Sequence, residues 1–305
     1  MNPFFSVVIP LYNKKNYIKR TLESVLNQTF KDFEIIIVND GSTDNGLLEI
    51  ENTKDHRITI YNQPNLGVSS ARNSGIRKAK ANYIAFLDAD DLWCENYLVC
   101  IFDMISNYND SLIFATGYIP WYKKKTPNLK SLNFNKITFN LITNYFELAK
   151  NIFSYSSIIF HKKVFENIGY FKEGLTFGEE EDFSIRSFLK YDLVFCKKAH
   201  VYYLQNIEDQ ITMPKNNKEH ILPDYDIYLQ DSSSQSLKKY IDFIYIKLII
   251  LFKKLKQTEN VNLYKRKIST KNLTFVQKIK YHVPTKLFYL SKRVYELFSK
   301  RLIHS

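Results

Sequence analysis

Residues 83–91 read YIAFLDADD, an apolar run that ends in three carboxylates, Asp88, Asp90 and Asp91. A short unbroken apolar run is the mark of a strand covered on both faces, as in a parallel sheet. Open α/β sheets bind ligands beyond the carboxyl ends of their strands, so these acids stand where a ligand would. Two carboxylates one residue apart can also grip a hard divalent cation together with a polar ligand. A plain Asp-rich turn fits the same nine residues, and the neighbouring segments must decide.

Upstream, residues 5–10 (FSVVIP) and 34–39 (EIIIVN) read as two further buried strands, and 58–61 as a short one. Residues 14–28 carry Tyr17, Ile18, Leu22, Val25 and Leu26 at helical spacing. Residues 68–79 form a helix whose Ser69, Ser70, Ala71 and Ser74 permit close packing on a sheet. Strands alternating with helices predict an α/β, Rossmann-like, mostly parallel sheet with helices on both faces. Right-handed crossovers bring the strand ends to one edge, where Tyr12, Asp40 and Asp88 to Asp91 meet. No G-x-G-x-x-G or G-x-x-x-x-G-K-[ST] follows a strand, so a nucleotide here would be held by side chains and a metal.

Beyond Asp91 the pattern predicts a helix over 95–107, a strand over 112–119 and an irregular Lys- and Asn-rich excursion over 121–140. A helix over 143–150, a strand over 156–160 and a short helix over 162–168 follow, the last stopped by Gly169. Glu179, Glu180, Glu181 and Asp182 open a helix whose Phe183, Ile185, Phe188 and Leu189 turn inward. Short strands at 193–196 and 201–204 close the body, and QDSSSQ at 230–235 reads as a linker. His161 and His200 read as structural, the latter at an edge.

Charge separates the chain into parts. Residues 236–305 hold 17 of the 43 basic residues against 3 acids, and residues 1–235 are nearly balanced, with 26 basic against 28 acidic. Within the basic part, Ile241, Ile244, Tyr245, Leu248, Leu251 and Phe252 form one apolar stripe. Leu287, Leu290, Val294, Leu297, Phe298 and Leu302 form another. Such helices suit an anionic membrane surface, or pack against the body formed by the rest of the chain or a second copy of the chain. Aromatics at helical spacing inside apolar stripes are a poor base-stacking platform, and nucleic acid is not expected as a partner. The N-terminal run is too short for a signal peptide, and no run of about 18 apolar residues predicts a membrane span. Cys94, Cys100 and Cys196 lack metal-ligand spacing and read as reduced, buried thiols of a cytosolic protein.

Seven ordered segments resemble the family 2 inverting glycosyltransferases: VVIPLYN at 7–13, SVLNQTF at 24–30, VNDGSTD at 38–44, NLGVSSARNSGI at 65–76, YIAFLDADD, ENIGYFKE at 166–173 and GEEEDFSIR at 178–186. The resemblance covers residues 1–210 and implies the GT-A fold. It implies a nucleotide-sugar-binding half over 1–110 and an acceptor-binding half of the same domain over 111–230, beside the basic helical module that charge and spacing mark over 236–305. It also implies a nucleotide-sugar donor, a glycan or lipid-linked glycan acceptor, and Mn²⁺ or Mg²⁺. By motif, Tyr12 would lie against the base, Asp40 would accept from it, and Arg72 would face the nucleotide. Asp88 would serve the ribose or diphosphate and Asp90 the metal, leaving Asp91 to begin the next turn.

The family's base is usually the Asp of a GED-type motif. Here Glu180 holds that place, with Glu179 and Asp182 close enough to leave the assignment open. Where relatives carry an Arg after paired tyrosines this chain has Leu204 and Gln205, and Gln210 replaces a Ser, so His200 or Tyr203 becomes a substitute diphosphate contact. A bacterial capsule, O-antigen or lipooligosaccharide setting, on the inner face of the cell membrane, follows by analogy. A nucleotidyltransferase and a non-catalytic nucleic-acid-binding protein are the competing readings.

Overall fold

Four apolar runs of the N-terminal part pair as parallel strands. The structure is a computed structural model that describes residues 2–122, 127, 129–130, 138–205, 220–230, 232–285 and 287. Contacts divide it into two units, Met1–Tyr145 with Asn151–Pro223, and Phe146–Lys150 with Asp224–Ser305.

The first unit begins β1 (Phe5–Leu11), α1 (Ile18–Leu26), β2 (Phe33–Asp40), α2 (Leu48–Glu51), β3 (Ile58–Gln63), α3 (Val68–Lys78) and β4 (Tyr83–Phe86). It continues with β5 (Leu92–Trp93), α4 (Tyr97–Asn107), β6 (Ile113–Trp121), β7 (Phe139–Ile142), β8 (Ile158–His161), α5 (Lys162–Ile168), α6 (Glu179–Phe188) and β9 (Leu193–Leu204). Among the described residues these strands form one nine-stranded sheet in the order β3-β2-β1-β4-β8-β6-β9-β5, with β7 also on β9. β3, β2, β1 and β4 are mutually parallel; β8 is antiparallel to both β4 and β6. This is the mixed α/β architecture that the alternation predicts.

Val7, Ile9, Ile35 and Ile37 are fully buried, as unbroken apolar strands between helical layers must be. α3 sits unusually close to β1. A Cβ on Gly75 would stand 2.2 Å from Val8 Cγ1, so only glycine allows that approach.

Three expectations change in detail. Residues 143–150 form only a 3₁₀ turn at Tyr145–Leu148, after which Ala149 takes a left-handed φ of 45°. Residues 155–157 are a 3₁₀ turn too, because Ser154 and Ser157 cap each other's backbone and so compete with the sheet ladder. The two short strands at 193–196 and 201–204 are one strand, β9. Its register against β6 shifts on both sides of Gly117, a bulge that occupies the polar gap between the two apolar runs. His200 lies in that irregular stretch and is wholly buried, which corrects its placement at an edge.

The second unit comprises α7 (Ile227–Gln230), α8 (Gln235–Lys254), α9 (Thr258–Lys267) and α10 (Phe275–His282). Ser234 caps α8 by accepting from Leu237 N at 3.3 Å, so the expected linker ends as a helix start. The stripe Ile241, Ile244, Tyr245, Leu248, Leu251 and Phe252 is buried. It is the core of this unit and not an outward face. Two charged groups of α8 are buried with it and hold the helices together. Asp242 pairs with Lys238 and accepts from Asn272 Nδ2 at 2.7 Å. Lys253 Nζ donates to the carbonyls of Lys280 (2.5 Å), Tyr281 (3.0 Å) and Val283 (2.6 Å), closing the end of α10. The second expected stripe, from 285 onward, lies outside the described residues apart from 285 and 287. No helix among the described residues is long and apolar enough to cross a membrane.

The close approach at Gly75 predicts that Gly75→Ala lowers unfolding stability by about 1–3 kcal/mol through overpacking. Thermal melting checks this, with Gly174→Ala, whose added Cβ meets open space although its φ is +81°, as a comparison for backbone strain alone.

Candidate active site

Parallel register pairs Leu11 with Asn39, so the loops after β1 and β2 leave the sheet side by side. Asn13, in the left-handed region at φ 50°, joins them. Its Oδ1 accepts from Thr43 N at 2.8 Å, and its N–H donates to Ser42 Oγ at 3.2 Å. Tyr12 stands between Leu11 and this junction with 43% of its surface exposed. Asp40 is buried. Its Oδ1 accepts from Gln63 Nε2 (2.8 Å) and Leu66 N (2.9 Å), and its Oδ2 from Gly67 N (2.9 Å). Asp40 therefore fixes the turn that starts α3. A carboxylate has about four acceptor sites, which leaves room for one more donor.

The three acids of YIAFLDADD part company. Asp91 points into the protein. Its Oδ2 accepts from Ser156 Oγ at 2.5 Å and its Oδ1 from Leu204 N at 2.9 Å. Ser156 Oγ also accepts from Asp88 N at 3.1 Å, so one hydroxyl links both ends of the acidic loop. Burial pushes the Asp91 carboxyl well up, and Asp90 and Asp88 push the same way. Asp91 does more than begin a turn: it ties the loop to β9. Asp90 pairs with Lys14, whose Nζ lies 2.6 Å from Asp90 Oδ2. Burial raises the Asp90 carboxyl, Lys14 pulls it down, and Asp88 pushes it up again.

Asp88 turns toward α3. Arg72 Nη2 donates to Asp88 Oδ1 at 3.0 Å and to Glu180 Oε1 at 2.8 Å, one N–H for each. Glu179 Oε1 lies 4.0 Å from Arg72 Nη1. The guanidinium is enclosed by Tyr155, Phe171 and Phe86, with ring centroids 5.2, 5.5 and 6.0 Å away. Burial works against its charge, but Asp88, Glu180 and Glu179 outweigh it and hold Arg72 protonated.

α6 delivers these acids. Gly178 precedes it in the left-handed region at φ 87°, and the next residues point in different directions. Glu179 and Glu180 reach Arg72. Asp182 is wholly buried and pairs instead with Lys172 Nζ (2.7 Å) and Arg186 Nε (2.9 Å). Tyr155, beneath the guanidinium, donates its hydroxyl to the Glu180 carbonyl at 2.8 Å. The Glu180 side chain keeps 36% exposure. Crowding by protein pushes its carboxyl up to about 8, with Glu179, Asp88 and Glu181 adding to the rise and Arg72 opposing it. Burial likewise raises Glu179.

The structure thus gathers Arg72, Asp88, Glu179 and Glu180, sets Asp90 beside Lys14, and turns Asp182 and Asp40 toward structural partners. Tyr203 belongs to the same neighbourhood. Burial raises its phenol, and Asp91, Glu180, Asp88 and Asp90 all add to the rise. His200 is elsewhere, its Nδ1 3.1 Å from the Lys198 carbonyl, and His161 caps α5 by accepting from Lys163 N at 3.2 Å. Gln210 lies outside the described residues. Lys14, Tyr155 and Ser156 escaped the reading of the sequence. Only Lys14, directly after Tyr12 and Asn13, had a position that could have marked it.

Two groups have metal-ligating chemistry. Asp88 and Asp90 offer carboxylate oxygens, the donors that Mg²⁺ and Mn²⁺ take, and an ammonium already lies at hydrogen-bond distance from one of them. These residues fit such an ion. Cys100, Cys196 and His200 also converge, their ligand atoms within 4.8 Å of one another, despite spacing in the chain that gave no sign of it. Both cysteines are free and buried, with the Cys100 thiol held against the Cys196 sulfur.

The family description "Glycosyl transferase family 2" matches residues 6–169, more than half of the chain, and the chain belongs to that family. It is 36% identical over 115 residues to glycosyltransferase GlyA of Streptococcus pneumoniae serotype 4, covering 37% of this chain and 16% of that one. It is 35% identical over 162 residues to chondroitin synthase of Pasteurella multocida, covering 48% and 16%. The chain therefore spans only a small part of these relatives. Residues 1–349 of S. aureus TarS, solved in complex with UDP-GlcNAc, share the fold at a TM-score of 0.66 and 17% identity, over 88% of this chain and 82% of that one. Of the three readings of the sequence, this membership favours the glycosyltransferase.

A base must lose its proton to act. With Glu180 raised to about 8, kcat/KM of a reaction that uses it should climb as pH rises toward 8 and level off above. A pH–rate profile between 6 and 9.5 checks this; a profile already flat at pH 6 would remove Glu180 from that role.

Proposed function

We propose that this chain transfers one sugar from a nucleotide-diphosphate sugar, a UDP-sugar, to a hydroxyl of a glycan acceptor with inversion at the anomeric carbon. One observation carries the reading. The Nη2 of Arg72 touches both Asp88, in the acidic loop after β4, and Glu180, at the start of α6. A donor-side acid and an acceptor-side acid are thereby held on one nitrogen of the guanidinium.

In this reading Tyr12 stacks on the base and Asp40 accepts from it through its remaining lone pair. Glu180 takes the proton of the acceptor hydroxyl, whose oxygen attacks the anomeric carbon as the bond to the diphosphate breaks and nucleoside diphosphate leaves. One displacement needs one base on the face opposite the leaving group. Asp88 and Asp90 would hold Mn²⁺ or Mg²⁺, which when bound supplies positive charge to a leaving diphosphate. Arg72 keeps Asp88 and Glu180 in place. The likeness to a chondroitin synthase supports a glycan acceptor, the UDP-GlcNAc complex of TarS supports a uridine donor, and the setting in bacterial capsule, O-antigen or lipooligosaccharide synthesis rests on analogy.

The test is a panel of nucleotide-sugars screened for thermal stabilisation with Mn²⁺, followed by transfer assays. A donor that binds raises the melting temperature by mass action. Glu180→Gln should keep that stabilisation and lose transfer by roughly a hundredfold or more. Asp182→Asn should lower the melting temperature and, by loosening the clamp on α6, reduce transfer less than Glu180→Gln does. An active Glu180→Gln beside a folded, inactive Asp182→Asn moves the base to Asp182.

The second unit is proposed to rest on an anionic membrane face from the cytoplasmic side. The support now comes from α10, where Phe275 is 78% exposed beside exposed Val276 and Ile279, near Lys271, Lys278 and Lys280. The full chain should sediment with vesicles of phosphatidylcholine and phosphatidylglycerol but not with phosphatidylcholine alone. Phe275→Ser with Ile279→Ser should weaken that binding about tenfold or more. Equal sedimentation of the variant would remove α10 from the contact.

A further inference from the structure

Lys14 has no part in the reaction as described so far, yet it touches the acid most suited to a cation. Its Nζ lies 2.6 Å from Asp90 Oδ2, and the two side chains keep only 17% and 11% of their exposure. The Lys14 backbone is fixed. Its carbonyl accepts from Tyr17 N at 2.9 Å and Ile18 N at 3.0 Å, at the start of α1, and the preceding Asn13 is bonded to the 42–43 loop. Only the flexible four-carbon stem can move the ammonium. The charged groups facing Asp90 are Lys14, Asp88 and Asp91, one cation among acids.

A divalent ion ligated by Asp90 would meet this ammonium. Two cations on one carboxylate repel strongly where solvent is scarce, so the ion must displace Lys14 from Asp90. A diphosphate arriving at the same edge offers the displaced ammonium a new anion. We propose that Lys14 is a built-in competitor for the cation at Asp90, and that the donor diphosphate draws it away, so that cation and donor bind cooperatively. This inference rests on the reading of Asp90 as cation ligand and of the donor as a nucleotide diphosphate. By linkage, whatever factor UDP adds to cation affinity the cation adds to UDP affinity.

The experiment is a titration of the full chain with Mn²⁺, reading free Mn²⁺ by its paramagnetic resonance signal, with and without UDP. In the unmodified protein UDP should tighten Mn²⁺ roughly tenfold or more. Lys14→Ala should bind Mn²⁺ alone roughly tenfold more tightly, and UDP should then tighten Mn²⁺ by a factor roughly several-fold smaller than in the unmodified protein, the remainder being the direct attraction of diphosphate for the ion. Lys14→Arg, which keeps the charge, should restore weak binding of Mn²⁺ alone. Unchanged or weaker Mn²⁺ affinity in Lys14→Ala overturns the inference, as does equal enhancement by UDP in both proteins. Asp90→Asn separates the two levels. If it abolishes Mn²⁺ binding while Lys14→Ala changes nothing, only the role of Lys14 falls. If Asp90→Asn binds Mn²⁺ as the unmodified protein does, the cation reading of Asp90 falls with it.

Discussion

The site depends on a single buried cation. Arg72 gives both N–H bonds of one nitrogen to acids from different elements, while three aromatic rings close around its plane. A charge in such surroundings is tolerated only when it is paired, and removing one partner of a buried pair costs about 3–5 kcal/mol. The constraint works in both directions. Arg72 needs its acids to stay buried, and Asp88 and Glu180 need Arg72 to stand close together. Lysine would carry the charge without the planar fork or the ring stacking. The close packing of α3 on β1, which Gly75 permits, is what carries the guanidinium to this place.

Much of the fold was legible because local and global signals agree. Residues 5–10, 34–39 and 83–87 are apolar almost without interruption, and such a run is what a strand buried on both faces requires. The order of these strands and their shared edge follow from handedness. Where the reading faltered, hydroxyls and charges found partners that the apolar pattern does not mark, some local and some distant. Ser154 and Ser157 make a turn where the apolar run at 156–160 reads as strand. The stripe on α8 has the spacing of an interfacial helix, and only the partner helices reveal it as core. Asp242 and Lys253 are buried because each finds backbone or side-chain partners from segments about 30 residues away.

The candidate site divides in the same way. Tyr12, Asp40 and the acids after β4 could be placed by topology, since each lies at or just beyond the end of a strand. Arg72 and the acids of α6 came from resemblance, because nothing in their local spacing says that they meet across 108 residues. Ser156 and Tyr155 gave no signal at all: a serine and a tyrosine in an apolar stretch have many fates. Asp91 was underrated for a related reason. Its partners, Ser156 and Leu204, are 65 and 113 residues away.

The ion pairs of Asp182 give α6 a fixed phase. Each residue of an α-helix turns the next by about 100°, so the bearing of Glu180 is set by where the helix is clamped. Lys172 and Arg186 grip Asp182, and Arg186 is itself anchored to the carbonyls of Ile168 and Tyr170. A residue inserted or deleted between Glu180 and Asp182 would swing the acid off Arg72 by more than a quarter turn. A change of length in the loop before Gly178 would leave its compass bearing alone. The loop before Gly178 and the direction of Glu180 are thus set independently, the one by its length and the other by the clamp on Asp182.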